Sequence, residues 1–324
     1  MHTTPKLSRR GLMGSVPALG GLALLGGATS LQATAMQTPS LRAIHRFHIG
    51  AMKVAVIDDA RFTFPAPMFA SNQPEGTVVP FLEMYGLPTE TVSLHMQITF
   101  VETGVHKVLL DTGMGDTTFP GNDADNGRLL SGLSAIGVSA DDITDVILSH
   151  GHPDHIGSCS KDGAPMFTNA RYHLPPNELE FWTQKPGGEQ NFMNMMLAIG
   201  TAQLEPVRGL IQPYKAEDEI VPGITAVAAP GHTLGHHAFL LHDGNAKLLH
   251  LMDTAVHYLV GPEEPDWALA VEMDQIAAAD TRRTLFKQAA DQNLLVAGYH
   301  FPFPGIGKIV SHQNAWRFVP IQTA

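Results

Sequence analysis

The sequence predicts an α/β (α+β) fold in which two β-sheets pack together and helices cover their outer faces. Three observations support this prediction. Hydrophobic residues make up 44% of the 324 residues, which allows a sizeable core and excludes a disordered or fibrous chain. After residue 40, short apolar runs typical of strands alternate with stretches of helical periodicity. Histidine or aspartate follows several of these runs, as expected where loops at a sheet edge carry a functional site.

The part of the chain between residues 40 and 150 predicts four strands and one helix. Apolar residues alternate at Val92, Leu94 and Met96, which is the pattern of a half-buried strand. Leu129 and Leu133 recur at helical spacing. The predicted strands are Met52–Ile57, Val92–Val101, Lys107–Leu110 and Asp145–Leu148, and the predicted helix is Asn126–Ile136.

The part after residue 220 predicts four more strands and the longest helix. Each of these strands ends near a histidine or an aspartate, which places polar side chains at strand ends. The predicted strands are Ile224–Ala228, His237–Leu241, Lys247–Met252 and Leu294–Ala297, and the predicted helix is Asp274–Gln292.

Residues 1–35 have the three-part layout of an export signal. A basic start containing Arg9 and Arg10 precedes an apolar stretch, and small residues follow at Ala33-Thr34-Ala35. Two arginines before apolar residues resemble the twin-arginine motif. We therefore expect recognition by the twin-arginine export machinery, cleavage after residue 35, and a periplasmic or secreted mature protein that forms a single domain over residues 36–324. No stable membrane insertion is expected after cleavage, and an uncleaved membrane anchor is the alternative.

The composition restricts the classes of partner and the kinds of metal site that this protein can have. With 31 acidic and 20 basic residues the formal net charge is -11, which disfavours a phosphate backbone, so we expect no nucleic acid partner. The single cysteine, Cys159, excludes an internal disulfide and any multi-cysteine zinc or iron–sulfur site. Histidine is abundant, with 17 residues, and this favours a metal site built from imidazoles.

The densest cluster of metal-ligand side chains is the run from His150 to His155, which reads His-Gly-His-Pro-Asp-His. A chain of this composition is expected to contain roughly 0.003 copies of its three histidines and aspartate by chance. Neutral imidazoles suit zinc and similar divalent ions, and aspartate can share them. The glycine and the proline favour a loop, in which all four side chains can turn towards one point.

Three further candidate ligands follow later strands. His232 lies in a tight turn after the strand Ile224–Ala228, while Asp253 and His300 follow two apolar strands. Each alone is a weak signal, because a single histidine is more often hydrogen-bonded or exposed. Seven ligands exceed the need of one tetrahedral ion but suit two ions that share a bridging carboxylate.

These motifs, in this order, resemble the metallo-β-lactamase-fold hydrolase superfamily. The resemblance covers nearly the whole chain after the leader and implies a four-layer αβ/βα sandwich with two divalent metal ions at one edge, with zinc expected. By this resemblance the first ion is held by His150, His152 and His232, the second by Asp154, His155 and His300, and Asp253 bridges them. The segments 229–236 and 300–307 are similar to the branch that contains methyl parathion hydrolase and related lactone and aryl-ester hydrolases.

The resemblance implies hydrolysis of a small-molecule ester, lactone or phosphotriester. Two metal ions lower the pKa of a bridging water from about 15.7 towards 7 and produce the attacking hydroxide. We expect Asp253 and Asp154 to act in catalysis, and Asp111 and His236 to orient the ligands. The alternatives within this chemistry are an organophosphate triester hydrolase and a β-lactamase. A metal-binding carrier without turnover is the alternative outside it, and a homodimer is left open.

The sequence gives weaker indications about the substrate. Acyl-homoserine lactonases of this superfamily have a tyrosine three residues after the bridging aspartate, and here that residue is Val256. Cys159 does not match the cysteine ligand of one β-lactamase subclass, so a β-lactam is less expected. For each large apolar residue a place in the core is the favoured interpretation, and lining of an apolar pocket beside the metals is the alternative. The residues that could line such a pocket are Phe181, Trp182, Phe192, Met193, Met195, Met196, His257, Tyr258 and Phe301.

Overall fold

The computed structural model describes residues 43–117, 126–189 and 191–321. These residues belong to one compact unit. The predicted export signal, residues 1–35, lies outside the described residues, so its cleavage and the domain boundary at residue 36 stay predictions. Within the part of the chain that the structure describes, no helix has both the length and the apolar character needed to cross a bilayer.

The described residues form strands and helices that are numbered here in chain order. The strands are β1 (Ile44–Ile49), β2 (Met52–Pro65), β3 (Thr91–Thr103), β4 (His106–Leu110), β5 (Asp145–Ile147), β6 (Ser160–Lys161), β7 (Ala164–Pro165), β8 (Arg171–His173), β9 (Ile211–Gln212), β10 (Glu219–Val221), β11 (Ile224–Ala228), β12 (His237–Asp243), β13 (Ala246–His250), β14 (Leu295–Ala297), β15 (Ile306–His312) and β16 (Ala315–Pro320). The α-helices are α1 (Val78–Met84), α2 (Leu129–Ala135), α3 (Pro153–Ile156), α4 (Pro176–Trp182), α5 (Phe192–Leu204), α6 (Val260–Glu263) and α7 (Gln275–Asp291). Short 3-10 helices lie at Ala66–Ala70, Ala140–Asp142, Glu205–Leu210 and Met252–Thr254.

The first large sheet has the strand order β1-β2-β3-β4-β5-β8-β9. Its first four strands pair antiparallel, while β4, β5, β8 and β9 are parallel. Parallel strands end at the same edge of a sheet, and Asp111 follows β4 while Ser149 and His150 follow β5 closely. The sheet therefore brings two segments that are distant in the sequence to one edge.

The second large sheet has the strand order β10-β11-β12-β13-β14-β15-β16. Its one parallel pair is β13 with β14, in the register His250 opposite Ala297. Asp253 and His300 each lie three residues beyond the end of one of these strands. His232 lies in the β11–β12 loop, at the same edge, because β12 starts beside the end of β13. This register explains why three widely spaced residues meet.

The two sheets pack face to face, with a helix layer outside each. Leu248 of β13 lies in the same core as Val56 of the first sheet, and Oγ1 of Thr99, which pairs with Val56, lies 3.0 Å from Nε2 of His250 in β13. The next residue after Leu248, Leu249, packs with Leu285 of α7 in a second core. Successive side chains of a strand point to opposite faces, so β13 has the first sheet on one side and α7 on the other. The architecture is the four-layer αβ/βα sandwich that the sequence predicts.

On the outer face of the first sheet, α2 approaches the strands closely. A Cβ at Gly132 would lie 2.4 Å from Cγ2 of Ile57, so only glycine allows this packing. The helix predicted over Asn126–Ile136 was too long, because α2 begins at Leu129. Oδ1 of Asp59, a residue of β2, accepts the backbone N–H of Leu129 at 2.7 Å, so a distant residue supplies the cap.

Two strand predictions also need correction. The strand predicted to end at Ile57 continues to Pro65, through a bulge where the pairing register with β3 shifts between Asp58 and Ala60. Asp58 and Asp59 interrupt the apolar pattern at this bulge, so the sequence pattern does not show that the strand continues. The strand predicted over Lys247–Met252 was two residues too long at its end, because Met252 has a left-handed backbone (φ +47°) and the chain turns into a 3-10 helix.

Candidate metal centre

All seven side chains predicted as metal ligands come together at the common edge of the two sheets. The segment 149–155 after β5, here called the histidine-rich loop, carries four of them; its second half was expected to be a loop but forms the start of α3, which bears Asp154 and His155. His232 lies in the β11–β12 loop, Asp253 in the 3-10 helix after β13, and His300 in the loop after β14. Each of three overlapping groups has one ligand atom per residue, and these atoms lie within 4.8 Å of one another. The groups are His150, His152 and His232; His150, His155 and Asp253; and Asp154, His155 and His300.

The first group directs three ring nitrogens to one point. Nε2 of His150 and Nε2 of His232 each lie 2.9 Å from Nδ1 of His152. The outer nitrogen of His150, Nδ1, lies 2.9 Å from the hydroxyl of Ser149, which holds the ring in this orientation. Three neutral imidazole nitrogens that converge on one point form a typical binding site for zinc and similar cations.

The second group is oriented by hydrogen bonds on its outer side. Nδ1 of His155 donates to Oδ2 of Asp111 at 2.6 Å, and Nδ1 of His300 donates to the carbonyl of His95 at 2.8 Å. Both histidines therefore turn Nε2 inwards, and each Nε2 lies 3.5 Å from Oδ2 of Asp154. With Nδ1 carrying the proton, Nε2 offers a lone pair, which is the form that binds metal.

Asp253 lies between the two groups. Its Oδ1 lies 3.4 Å from Nε2 of His155. Its Oδ2 lies 3.1 Å from Nε2 of His232 and 3.2 Å from Nε2 of His300. A carboxylate that contacts histidines of both groups has the position of a bridging ligand.

The backbone of Asp253 is held by His236. Nε2 of His236 accepts the backbone N–H of Asp253 at 3.0 Å, and its Nδ1 donates to the carbonyl of Ala229 at 2.8 Å. Burial, and then the neighbouring His232, lower the pKa of His236 to about 3. The ring is therefore neutral and can donate from one nitrogen and accept at the other, which gives His236 the orienting position expected from the sequence.

Asp111 is the second orienting residue expected from the sequence. It is fully buried and has a left-handed backbone with φ +62°, which aspartate tolerates better than most residues. Besides the N–H of His155, it accepts the backbone N–H of Ser149 at 2.7 Å and the hydroxyl of Ser149 at 2.8 Å. It thus connects the end of β4 to both ends of the histidine-rich loop.

The charges of the centre suit metal binding. Burial, with the neighbouring imidazoles, lowers the pKa of His150 and of His152 well below the usual value, so both are neutral at pH 7. Burial alone would raise the pKa of Asp253, but the surrounding imidazoles hold it well below its usual value. His150 and His152 are therefore neutral nitrogen donors beside an ionised carboxylate. Burial alone would lower the pKa of His155 and of His300, but Asp253 and Asp154 raise both above the usual value, so a bound cation would take the place of a proton at these two rings.

Two inward-facing atoms show that the residues fit a cation. Nε2 of His155 and Oδ1 of Asp253 are buried and make no hydrogen bond within the described residues. Buried polar atoms normally have a partner, and a divalent cation would satisfy both. The donor set, imidazoles with two carboxylates, accepts zinc and other borderline divalent ions. These residues could hold two such ions.

A pocket of about 60 Å³ opens onto the centre. Its polar wall includes Asp154 and Asp253, and no lysine or arginine lines it among the described residues. Its apolar lining consists of Phe62, Phe64, Leu94, Met96, Met114, Pro153, Phe192, Met196, Val256, Leu269 and Val271. Outside it lies a wider groove of about 1080 Å³ that shares Phe62, Phe64, Phe192 and Val271 with the pocket.

Three of the nine candidate pocket residues line the pocket or the groove outside it. Phe192 and Met196 line the pocket and Met195 lines the outer groove, but the other predicted residues do neither. Trp182 lies behind the loop, with its ring centroid 5.0 Å from that of His152. Phe301 packs in the core against Phe318, 4.8 Å between ring centroids. The residues that do not line either space are Phe181, Trp182, Met193, His257, Tyr258 and Phe301.

The chain is similar to known metallo-hydrolases in sequence and in fold. The model of the family described as "Metallo-beta-lactamase superfamily" matches residues 97–300. "Probable metallo-hydrolase Rv2300c" of Mycobacterium tuberculosis is 25% identical over 243 residues, which are 65% of this chain and 76% of that protein. The structure of AidC, described as a dizinc quorum-quenching lactonase in complex with the product N-hexnoyl-L-homoserine, is similar with a TM-score of 0.80 and 25% identity, over 88% of this chain and 99% of that one. The hydrolase AbOPH has the same fold, with a TM-score of 0.79 and 24% identity over 88% of this chain and 99% of that one.

Proposed function

This chain belongs to the metallo-β-lactamase superfamily and is a metallo-hydrolase, and from that premise we propose that it uses two divalent metal ions to open lactones or cleave aryl esters. The observation that carries the proposal is the convergence of seven metal-ligand side chains at the mouth of an apolar pocket. A carrier would need the ligands but not a shaped apolar pocket beside them.

We assign the seven residues to two metal positions. His150, His152 and His232 form the first, and Asp154, His155 and His300 form the second. Asp253 bridges the two positions, because its oxygens face histidines of both. We expect zinc at both, as in the dizinc lactonase AidC.

When bound, the two ions supply a water of lowered pKa and a Lewis acid for the carbonyl oxygen of the substrate. The chain itself positions the reaction. Asp253 and Asp154 are the two carboxylates on the pocket wall, and both can accept hydrogen bonds from the attacking water. Asp154 is the more exposed of the two, with 22% of its side chain accessible against 3%, and we assign it to receive the proton of that water.

The pocket selects a neutral and largely apolar substrate. Eleven apolar side chains line it, and in the described residues no lysine or arginine is available to pair with an anionic substrate group. A lactone or an aryl ester fits this pocket better than a β-lactam antibiotic with its carboxylate.

The likeness to AidC supports lactone opening in particular. Val256 lies in the pocket at the position where acyl-homoserine lactonases resemble one another in having a tyrosine, and no tyrosine lines the pocket in the described parts of the chain. The site thus has no phenol hydroxyl to bind the amide of an acyl-homoserine. We therefore place an aryl lactone above an acyl-homoserine lactone among the substrates.

A neutral organophosphate triester is the second candidate. It lacks the negative charge that the pocket disfavours, and its aryl group suits the walls formed by Phe62, Phe64 and Phe192. This candidate agrees with the sequence similarity to the methyl parathion hydrolase branch. We further propose that the protein acts in the periplasm or outside the cell after twin-arginine export, as residues 1–35 suggest.

The test is a substrate panel on protein loaded with two equivalents of zinc per chain. It contains dihydrocoumarin, an aryl acetate, an acyl-homoserine lactone, a paraoxon-type triester and a cephalosporin. We expect dihydrocoumarin or the aryl acetate to give the highest kcat/KM, and removal of zinc by a chelator to abolish turnover.

The matched variants are Asp253→Ala and Asp280→Ala. The first removes the proposed bridging ligand and is expected to lower kcat/KM by at least a thousandfold, while Asp280 is exposed on α7 and its replacement should leave activity unchanged. Full activity of Asp253→Ala would contradict the bridging assignment. A cephalosporin as the best substrate would contradict the proposed substrate class, and stoichiometric zinc without hydrolysis would favour a carrier.

A further inference from the structure

A buried glutamate outside the predicted ligand set lies behind the metal centre. Glu178 is on α4 and its side chain is only 2% exposed. Carboxylates are rarely buried without a specific partner, because removing the charge from water is costly. Glu178 faces the histidine-rich loop after β5 and the β11–β12 loop, which carry all three histidines of the first metal position.

Four donors from these surroundings converge on the carboxylate. Oε1 accepts the hydroxyl of Thr233 and the backbone N–H of Gly235, each at 2.7 Å. Oε2 accepts the backbone N–H of Gly151 at 3.0 Å and the indole N–H of Trp182 at 2.7 Å. One oxygen thus binds the β11–β12 loop and the other binds the histidine-rich loop, and every partner is a donor.

The glycines at both contacts allow α4 to approach the loops closely. A Cβ at Gly151 would lie 2.1 Å from Cδ1 of Trp182, and a Cβ at Gly235 would lie 2.8 Å from Cγ of Glu178. Neither position could carry a side chain without moving the helix. The glycines beside the histidines are therefore explained by the packing of α4.

We propose that Glu178 is a positioning residue that sets the distance between His152 and His232, and thereby the affinity of the first metal position. The two histidines belong to separate loops, yet their inward nitrogens lie 2.9 Å apart. Gly151 is the residue before His152, and Thr233 is the residue after His232. Glu178 accepts a hydrogen bond from each of these two residues. This inference rests on the metal centre of the proposed function, but it concerns metal binding and not the identity of the substrate.

The test replaces Glu178 by glutamine and uses Glu180→Gln as the matched control. Glutamine has the same shape, but its NH2 group faces two donors in either orientation, so one loop loses its acceptor. Glu180 lies on the same helix and is exposed. In metal-stripped protein, zinc affinity measured by competition with a chromophoric chelator should fall by about ten- to a hundredfold for Glu178→Gln and not for Glu180→Gln.

A second readout separates positioning from general stability. In cobalt(II)-loaded protein, the d–d absorption of one ion should change or disappear in Glu178→Gln, with a stoichiometry that falls from two ions towards one. The far-UV circular dichroism of the metal-free protein should match that of the Glu180→Gln control, and the melting temperature should fall by no more than a few degrees, as one buried donor group left without an acceptor implies. A lower melting temperature with unchanged cobalt spectrum and zinc affinity would overturn the proposal.

If Glu178→Gln does not fold, the proposal can be tested with two variants of Thr233, which perturb one hydrogen bond to Glu178. Thr233→Val removes one donor to Oε1, whereas Thr233→Ser retains it. We expect Thr233→Val to weaken zinc binding and Thr233→Ser to restore it, and equal affinities for the two would overturn the proposal. Wild-type protein that binds two ions but hydrolyses nothing in the panel would refute the proposed activity and leave this inference standing.

Discussion

The replacement Asp111→Asn tests how far the orientation of one histidine controls the metal centre. Oδ2 of Asp111 accepts N–H of His155 at 2.6 Å, and Oδ1 accepts the backbone N–H of Ser149 at 2.7 Å. An asparagine offers one oxygen in place of two, so in either orientation its NH2 group meets a donor. If that donor is His155, the ring either keeps an unsatisfied N–H or moves its proton to Nε2, the atom that faces Asp154.

The expected loss follows from that unsatisfied donor. A buried donor without an acceptor costs about 1–3 kcal/mol, and about 1.4 kcal/mol corresponds to a factor of ten, so metal affinity should fall by about 5- to 150-fold. The assay is zinc competition with a chelator on metal-stripped protein, with Asp116→Asn as the control, because 88% of the Asp116 side chain is exposed. An affinity of Asp111→Asn within twofold of the wild type, in a protein with unchanged circular dichroism, would refute the reasoning.

Three further predictions address other parts of the molecule. Burial raises the pKa of the Cys159 thiol to about 12, so at pH 8 a thiol reagent should label it only after denaturation, and rapid labelling of the native protein would contradict its burial. Leu285→Ala should destabilise the protein by about 3 kcal/mol in urea unfolding at fixed metal concentration, since it opens a cavity under α7, while the exposed Ile276→Ala on the same helix should change stability by less than about 0.5 kcal/mol. Replacing both Arg9 and Arg10 by lysine should leave the precursor in the cytoplasm in a fractionation assay, and processed protein in the periplasm would contradict twin-arginine export.

The convergence of the seven side chains could be predicted because each of them follows an apolar strand that is recognisable locally. Asp253 and His300 each lie three residues beyond the end of such a strand, and the parallel pairing of β13 with β14 then brings them together. Polar residues of this kind shortly after buried strands are a local pattern, so no knowledge of distant contacts is needed to find them.

The pocket and the supporting residues could not be predicted in the same way, because they depend on contacts between distant segments. Phe62 and Phe64 line the pocket only because β2 continues beyond its bulge along β3. Glu178 lies in an ordinary amphipathic stretch, and its importance arises from loops that are distant in the sequence. Which histidine nitrogen faces inwards also depends on such partners, as the carbonyl of His95 shows for His300.

The bulge in β2 divides the strand into a part that packs in the core and a part that lines the pocket. Before it, residues such as Val56 build the core between the sheets, and after it Phe62 and Phe64 form one wall of the pocket. None of the loops that supply the metal ligands passes through this wall. Substitutions at positions 62 and 64 can therefore accumulate over generations and redirect the enzyme to new compounds, while the reactive apparatus is inherited intact.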